Sequence, residues 1–290
     1  MAVNHLRLIA GFAILLMLHL VLVGLPWPHG LTRMDLLLLG VSGLIGLVIG
    51  DAAYFHSLVL IGPATATLMV TSAPAFATAE AWLFLGETLP ARALLGSAVT
   101  VAGIIIAVRA RMLRDPILRG REHADAASGQ TVARIARRTL ALGLGLALVG
   151  TLCQATGQVL ARPVLHHVDA LSATLVRIAA GTAVLWGSLM LRCLIARRRP
   201  AWWDAALADK RALALTMGGV ITGPSFGVWL SQVATKNAPV GVASTLMSLV
   251  PIFVMLSDWI LGRARPSGLQ ILGSLVAIAG VAILVSAPAR

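Results

Sequence analysis

Apolar residues dominate this chain in long unbroken runs, and polar residues gather in short segments between them. Nine such runs are readable, at about 6–25, 35–61, 64–85, 90–108, 139–160, 171–195, 212–234, 240–261 and 268–285, most of them long enough to cross roughly 30 Å of hydrocarbon as helix. Strict alternation of apolar and polar positions, the mark of a barrel strand, is absent from them. The pattern predicts an all-α polytopic membrane protein with nine transmembrane helices. Gly-Glu at 86–87 predicts a tight turn between the third and fourth helices, with Glu87 as a structural residue of that turn. Pro74 and Pro251 each fall inside an apolar run, where a missing N–H kinks a helix.

The runs are also duplicated. An offset of 177 carries Gly46 to Gly223, Gly50 to Gly227, Ala66 to Ala243, Pro74 to Pro251, Trp82 to Trp259, Gly96 to Gly273, Ser97 to Ser274, Ala102 to Ala279 and Gly103 to Gly280. Nine matches on one ungapped offset argue for a repeated unit. An offset of 170 adds Arg7-x-x-x-Gly11 and Arg177-x-x-x-Gly181. The expected organisation is a first repeat over 1–108 with four helices, a basic linker over 109–138, and a second repeat over 139–290 with five. The run at 139–160 has no mate in the first half, which predicts a helix ahead of residue 1 in the ancestral unit. Mates five spans apart cross the bilayer in opposite senses, the inverted-topology arrangement of many carriers.

Composition sharpens this picture at three points. With 58% hydrophobic and 12% charged residues the chain lies far from soluble domains, of which about one quarter is charged. The net charge of +12 does not call for a nucleic-acid partner, because most basic residues sit in loops between spans, where they orient a membrane protein. Of the 23 Lys and Arg, 17 fall on the side that holds the N-terminus and the 109–138 linker, so that side is expected to be cytoplasmic. The two cysteines, Cys153 and Cys193, make no disulfide framework and read as small apolar filler. Residues 1–25 read as a retained span rather than a signal peptide, with no small-residue cleavage site before Pro26.

Polar side chains inside the runs are the candidates for function, since an ionisable group in hydrocarbon is costly unless it faces a cavity or a partner. Asp51 and Glu80 are the candidate coupling or gating carboxylates, and His19 a candidate cavity ligand or proton relay. Gln154 and Gln158 share one helix face, and Ser225 and Gln232 follow the Gly223-Pro224 break. Thr67 and Thr71 precede Pro74. Together they fit a midplane site of uncharged donors around disrupted helices, with interhelical hydrogen bonding as the plainer alternative. No G-x-x-x-x-G-K loop is present, which argues against a self-contained ATP-driven pump. His166-His167-Asp169 reads as a polar connector, and no metal site or cofactor is expected.

These residues resemble the drug/metabolite transporter superfamily, specifically its EamA-like ten-helix carriers, over nearly the whole chain. The resemblance rests on Ala66 and Pro74, Gly86-Glu87, Gly96 and Gly103, then Ala243, Pro251, Gly262, Gly273 and Gly280, with Arg177 near the start of its run. It implies two five-helix inverted units around a central cavity lined by four helices of each. It also implies transport of metabolites or drugs by proton coupling or exchange, in the cell (inner) membrane, with both termini cytoplasmic. The chain departs from the pattern in lacking the first helix and in carrying Arg263-Ala264 after Gly262, where the first half has Glu87 after Gly86. The function expected is secondary active transport, in the export direction, of a small metabolite or drug-like compound, not enzymatic catalysis. A transport-inactive scaffold or regulatory protein is the alternative, ahead of an intramembrane lipid-modifying enzyme. Expected partners are a small-molecule substrate, the lipid bilayer, a coupling proton or exchanged substrate, and a second copy of the chain as a homodimer.

Overall fold

The computed structural model describes residues 2–112, 130–196, 210–262 and 265–285. Most of the basic linker and the Trp202-Trp203-Asp204 loop lie outside the described residues. Among them the chain is helical throughout, in the order α1 (Ala2–Val23), α2 (Arg33–Gly43), α3 (Asp51–Val70), α4 (Ala73–Leu85), α5 (Ala91–Met112), α6 (Gln130–Leu165), α7 (Ala170–Ala196), α8 (Lys210–Val220), α9 (Val228–Asn237), α10 (Val240–Met247), α11 (Val250–Ile260) and α12 (Gly268–Val285). Two π-helical segments, Leu44–Gly50 and Ile221–Gly227, join α2 to α3 and α8 to α9. Six helical stretches among the described residues are long and apolar enough to cross a membrane. The protein is therefore an all-α, multi-pass membrane protein.

Local sequence explains where the helices begin and end. Thr32 caps α2 by accepting from the Asp35 backbone N–H at 3.2 Å, while Asp35 accepts from the Thr32 N–H at 2.9 Å, a reciprocal capping box. The apolar run at 35–61 is not one regular helix but α2, the first π-helical segment and the start of α3, and α3 is interrupted at Gly62, with φ 78°. Pro74 and Pro251 do not kink continuous helices. Each stands in the first turn of a new helix, α4 or α11, after a short break, and there its missing N–H has no partner to lose. Gly86 stops α4 in the left-handed region, at φ 67°, which a residue without Cβ adopts freely.

The helices gather into two compact units, each drawing on both halves of the chain. Unit 1 comprises Met1–Ala52 and Thr156–Ala238; unit 2 comprises Ala53–Ala155 and Pro239–Arg290. In unit 2, α5 and α12 lie backbone to backbone. A Cβ on Gly96 would stand 2.9 Å from the Gly280 carbonyl oxygen, and one on Gly273 would stand 2.7 Å from the Gly103 carbonyl oxygen. Small residues let helices approach this closely where lipid offers no hydrophobic drive to association. Glu87 turns out to serve a helix other than the one it precedes, because its carboxylate accepts from the backbone N–H of Val240 at 2.9 Å, at the start of α10. Glu87→Ala is expected to lower stability by about 1 kcal/mol, the usual cost of a lost helix cap, and Glu87→Gln by less. Thermal unfolding of the detergent-solubilised protein measures both.

Candidate functional site

Unit 1 holds a charged and polar core. Arg7 on α1 forms an ion pair with Asp51, the first residue after the π-helical segment. Arg177 on α7 is 3% exposed, and the charge that acts on it is Asp51's. Glycines create the space for this arrangement. A Cβ on Gly43 would collide with the backbone carbonyl of Arg177, so α2 and α7 touch along their main chains. A Cβ on Gly157 would meet the Ser42 carbonyl at 3.0 Å and the Arg177 Nη2 at 3.3 Å, and Ser42 donates through its Oγ to the Gly157 carbonyl. Two guanidiniums and a carboxylate, carried by α1, α7 and α3, thus lie in a unit whose helices are otherwise largely apolar. Desolvation makes such a cluster expensive unless it has partners.

Arg177 and three further buried side chains of this unit, Asn4, Ser225 and Gln232, carry unused hydrogen-bonding capacity, Asn4 at its Oδ1. Arg177 has no partner for Nε or Nη1, Ser225 none for Oγ, and Gln232 none for either atom of its amide. Ser225 is 1% exposed and Gln232 fully buried. Buried polar atoms are almost always paired, so these atoms are open to a partner that the described residues do not supply.

Several other polar residues of unit 1 are committed to structure. His19 is fully buried, with Nδ1 2.6 Å from the Leu25 carbonyl and Nε2 2.9 Å from Ser172 Oγ. The carbonyl can only accept, so Nδ1 carries the proton and Nε2 accepts from the Ser172 hydroxyl. His19 therefore ties the end of α1 to the start of α7. Gln158 accepts from Thr235 Oγ1 at 3.2 Å, and Arg162 donates to the Thr235 and Lys236 carbonyls that end α9. The members of the His166-His167-Asp169 connector act separately. His167 pairs with Asp35 at 3.1 Å, and Asp169 accepts from the Ser172 N–H at 2.8 Å at the start of α7.

Unit 2 contains the other sequence candidates. Glu80 is half-buried on α4, within electrostatic reach of Cys153. Thr71 is buried, and Thr67 and Gln154 are half-buried. Trp82 and Trp259 are mostly exposed, as residues facing a membrane interface are. Sequence reasoning did not assign Arg7 and Arg177 to a site. The available signal was their shared Arg-x-x-x-Gly spacing, which was visible but read only as a sign of duplication.

Among the described residues the structure has six helical stretches able to cross a membrane and no group of three His, Cys, Asp or Glu able to hold a metal ion. The model of the EamA-like transporter family matches residues 1–109 and 141–286, and the chain belongs to that family. It is thus a multi-pass membrane protein of the drug/metabolite transporter superfamily with a secondary-transporter fold. A solved crystal structure, described only as that of a protein, shares this fold with a TM-score of 0.68 and 18% sequence identity, over 99% of this chain and 88% of the other. No curated protein matches the sequence significantly.

Proposed function

We propose that this protein is a secondary active exporter of a small metabolite or drug-like compound, working by alternating access between two inverted repeats. The repeats would be 1–108 and 139–290, joined by the basic linker at 109–138, with nine spans in all. The observation that carries this reading is the internal symmetry of unit 1. The offset of 177 that aligns the sequence matches also aligns the two π-helical segments, Leu44–Gly50 with Ile221–Gly227. Gly11 packs against Pro224 and Ser225 of the second segment, while its mate Gly181 packs against Val48 of the first, and Val48 and Ser225 are themselves 177 apart. Repeat-related arginines, Arg7 and Arg177, both interact with Asp51. π-Helical insertions concentrate at functional sites, and paired ones supply the two equivalent flexing points that an alternating carrier needs. Asp51, Ser225 and Gln232 then belong to the transport path of unit 1, and Glu80, Thr67, Thr71 and Gln154 to that of unit 2, with protons or exchange as the coupling.

Proteoliposomes loaded with a pooled metabolite extract and given a pH gradient test this. The expected result is movement of one or a few compounds that follows the gradient, with Glu80→Gln weakening the response to pH. If no compound moves under either a gradient or an exchange protocol, the carrier reading fails.

A further inference from the structure

The symmetry of unit 1 is broken at one informative place. In the first half, Arg7 has its carboxylate in Asp51. In the second half, the same offset carries Asp51 to Val228, so Arg177 has no carboxylate of its own. Val228 packs on the apolar cluster that includes Leu8 and Leu15 of α1 and Leu171, Leu175 and Ile178 of α7. Ser225 at the end of the second π-helical segment and Gln232 on α9, three residues before and four after Val228, are both buried with unpaired polar atoms. Arg177 itself keeps one N–H on Nε and two on Nη1 without acceptors. A guanidinium cannot shed its charge by losing a proton, and although Asp51 acts on it from the first half, its Nε and Nη1 donors are left without acceptors among the described residues.

We infer that the transported compound is an organic carboxylate, and that its carboxylate group docks on Arg177 with Ser225 and Gln232 completing the polar shell, in the place where the second half lacks a counterpart of Asp51. This rests on the carrier reading above and narrows it to a substrate class. A single negative charge fits, because the missing group in the repeat is one carboxylate. Arginine pairs with carboxylates through charge-assisted hydrogen bonds, which are among the stronger ones in proteins. The ligand restores the pairing that Asp51 gives Arg7, and its departure leaves Arg177 again without one, so loading and release are tied to the same buried charge.

Binding is measurable without flux. The purified full chain in detergent is titrated with sodium benzoate, with benzamide as the uncharged isostere and inorganic phosphate as the alternative anion, at constant ionic strength, reading the thermal unfolding midpoint. The expected result is a saturable rise with benzoate and none with benzamide or phosphate. Arg177→Gln is expected to weaken the benzoate response about tenfold or more, as loss of a charge-assisted hydrogen bond does. Should Arg177→Gln fail to fold, Val228→Asp decides: it supplies the missing carboxylate within the chain, and is expected to raise the midpoint without ligand and to abolish the benzoate response. No saturable rise in the wild type, a rise with phosphate alone, or an undiminished benzoate response in Val228→Asp would overturn the inference. Binding of benzoate with no metabolite moved in proteoliposomes would sink the carrier reading and leave the anion site standing. Gradient-driven flux of amines or neutral compounds, with no benzoate binding, would do the reverse.

Discussion

Asp51→Asn will stop transport and lower the stability of the protein by about 3 kcal/mol, the scale on which removal of one partner from a buried ion pair is felt. The residue is 6% exposed and is the carboxylate to which both Arg7 and Arg177 are electrically coupled. Asparagine keeps the shape but removes the charge and turns one acceptor oxygen into an NH2 donor, so the half-buried Arg7 and the buried Arg177 lose their counter-ion at once. The double substitution Arg7→Met, Asp51→Leu should regain part of the lost stability, because exchanging a buried pair for apolar side chains of similar volume is often neutral or better. Transport should stay lost in it. Flux in proteoliposomes, measured beside thermal unfolding in detergent, separates the two effects. Undiminished flux in Asp51→Asn would remove Asp51 from the transport path.

The other large effect is expected at Gly103. A Cβ there would lie 2.6 Å from the Gly273 carbonyl oxygen and 2.8 Å from the Ala277 Cα, contacts that backbone atoms cannot relieve by turning a side chain aside. Gly103→Leu must therefore separate α5 from α12, at a cost of about 3 kcal/mol or more, and Gly103→Ala should cost less but still be felt. Gly145 on α6 is the control, because a Cβ there would meet nothing within 4 Å. Gly145→Ala is expected to be neutral or to stabilise by up to about 1 kcal/mol, since alanine is the better helix former. Thermal midpoints of the three variants rank them, and equal midpoints for Gly103→Leu and Gly145→Ala would show that the α5–α12 contact contributes little.

The helical and membrane-spanning character, the family and the positions of some helix ends were legible in the residues themselves, but the breaks inside the runs at 35–61, 64–85, 212–234 and 240–261 were not. Each legible feature depends on short-range physics, such as apolar run length against bilayer thickness and Gly86 in a left-handed turn. Repetition at an offset of 177 marked Gly96, Gly103, Gly273 and Gly280 as related, but not that Gly96 would face Gly280 and Gly103 face Gly273. That pairing depends on helices distant in sequence meeting in antiparallel register. The roles of single polar residues were less legible still. His19 resembled a cavity ligand until its two nitrogens were accounted for by Leu25 and Ser172, and Glu87 resembled a local turn residue until its carboxylate was found at Val240.

By itself, then, the sequence determined a bundle of membrane helices, because hydrophobic length and glycine position act on the backbone within a few residues. Only the tertiary structure decided which of its scattered charges meet. Arg7 and Asp51 are 44 residues apart and Arg177 is far from both, and no local propensity encodes their meeting. The close approach of α2 to α7 at Gly43, and of α2 to α6 at Gly157, brings these elements together. A buried charge has its meaning from what surrounds it, and in a chain of helices those surroundings come from other turns of the fold.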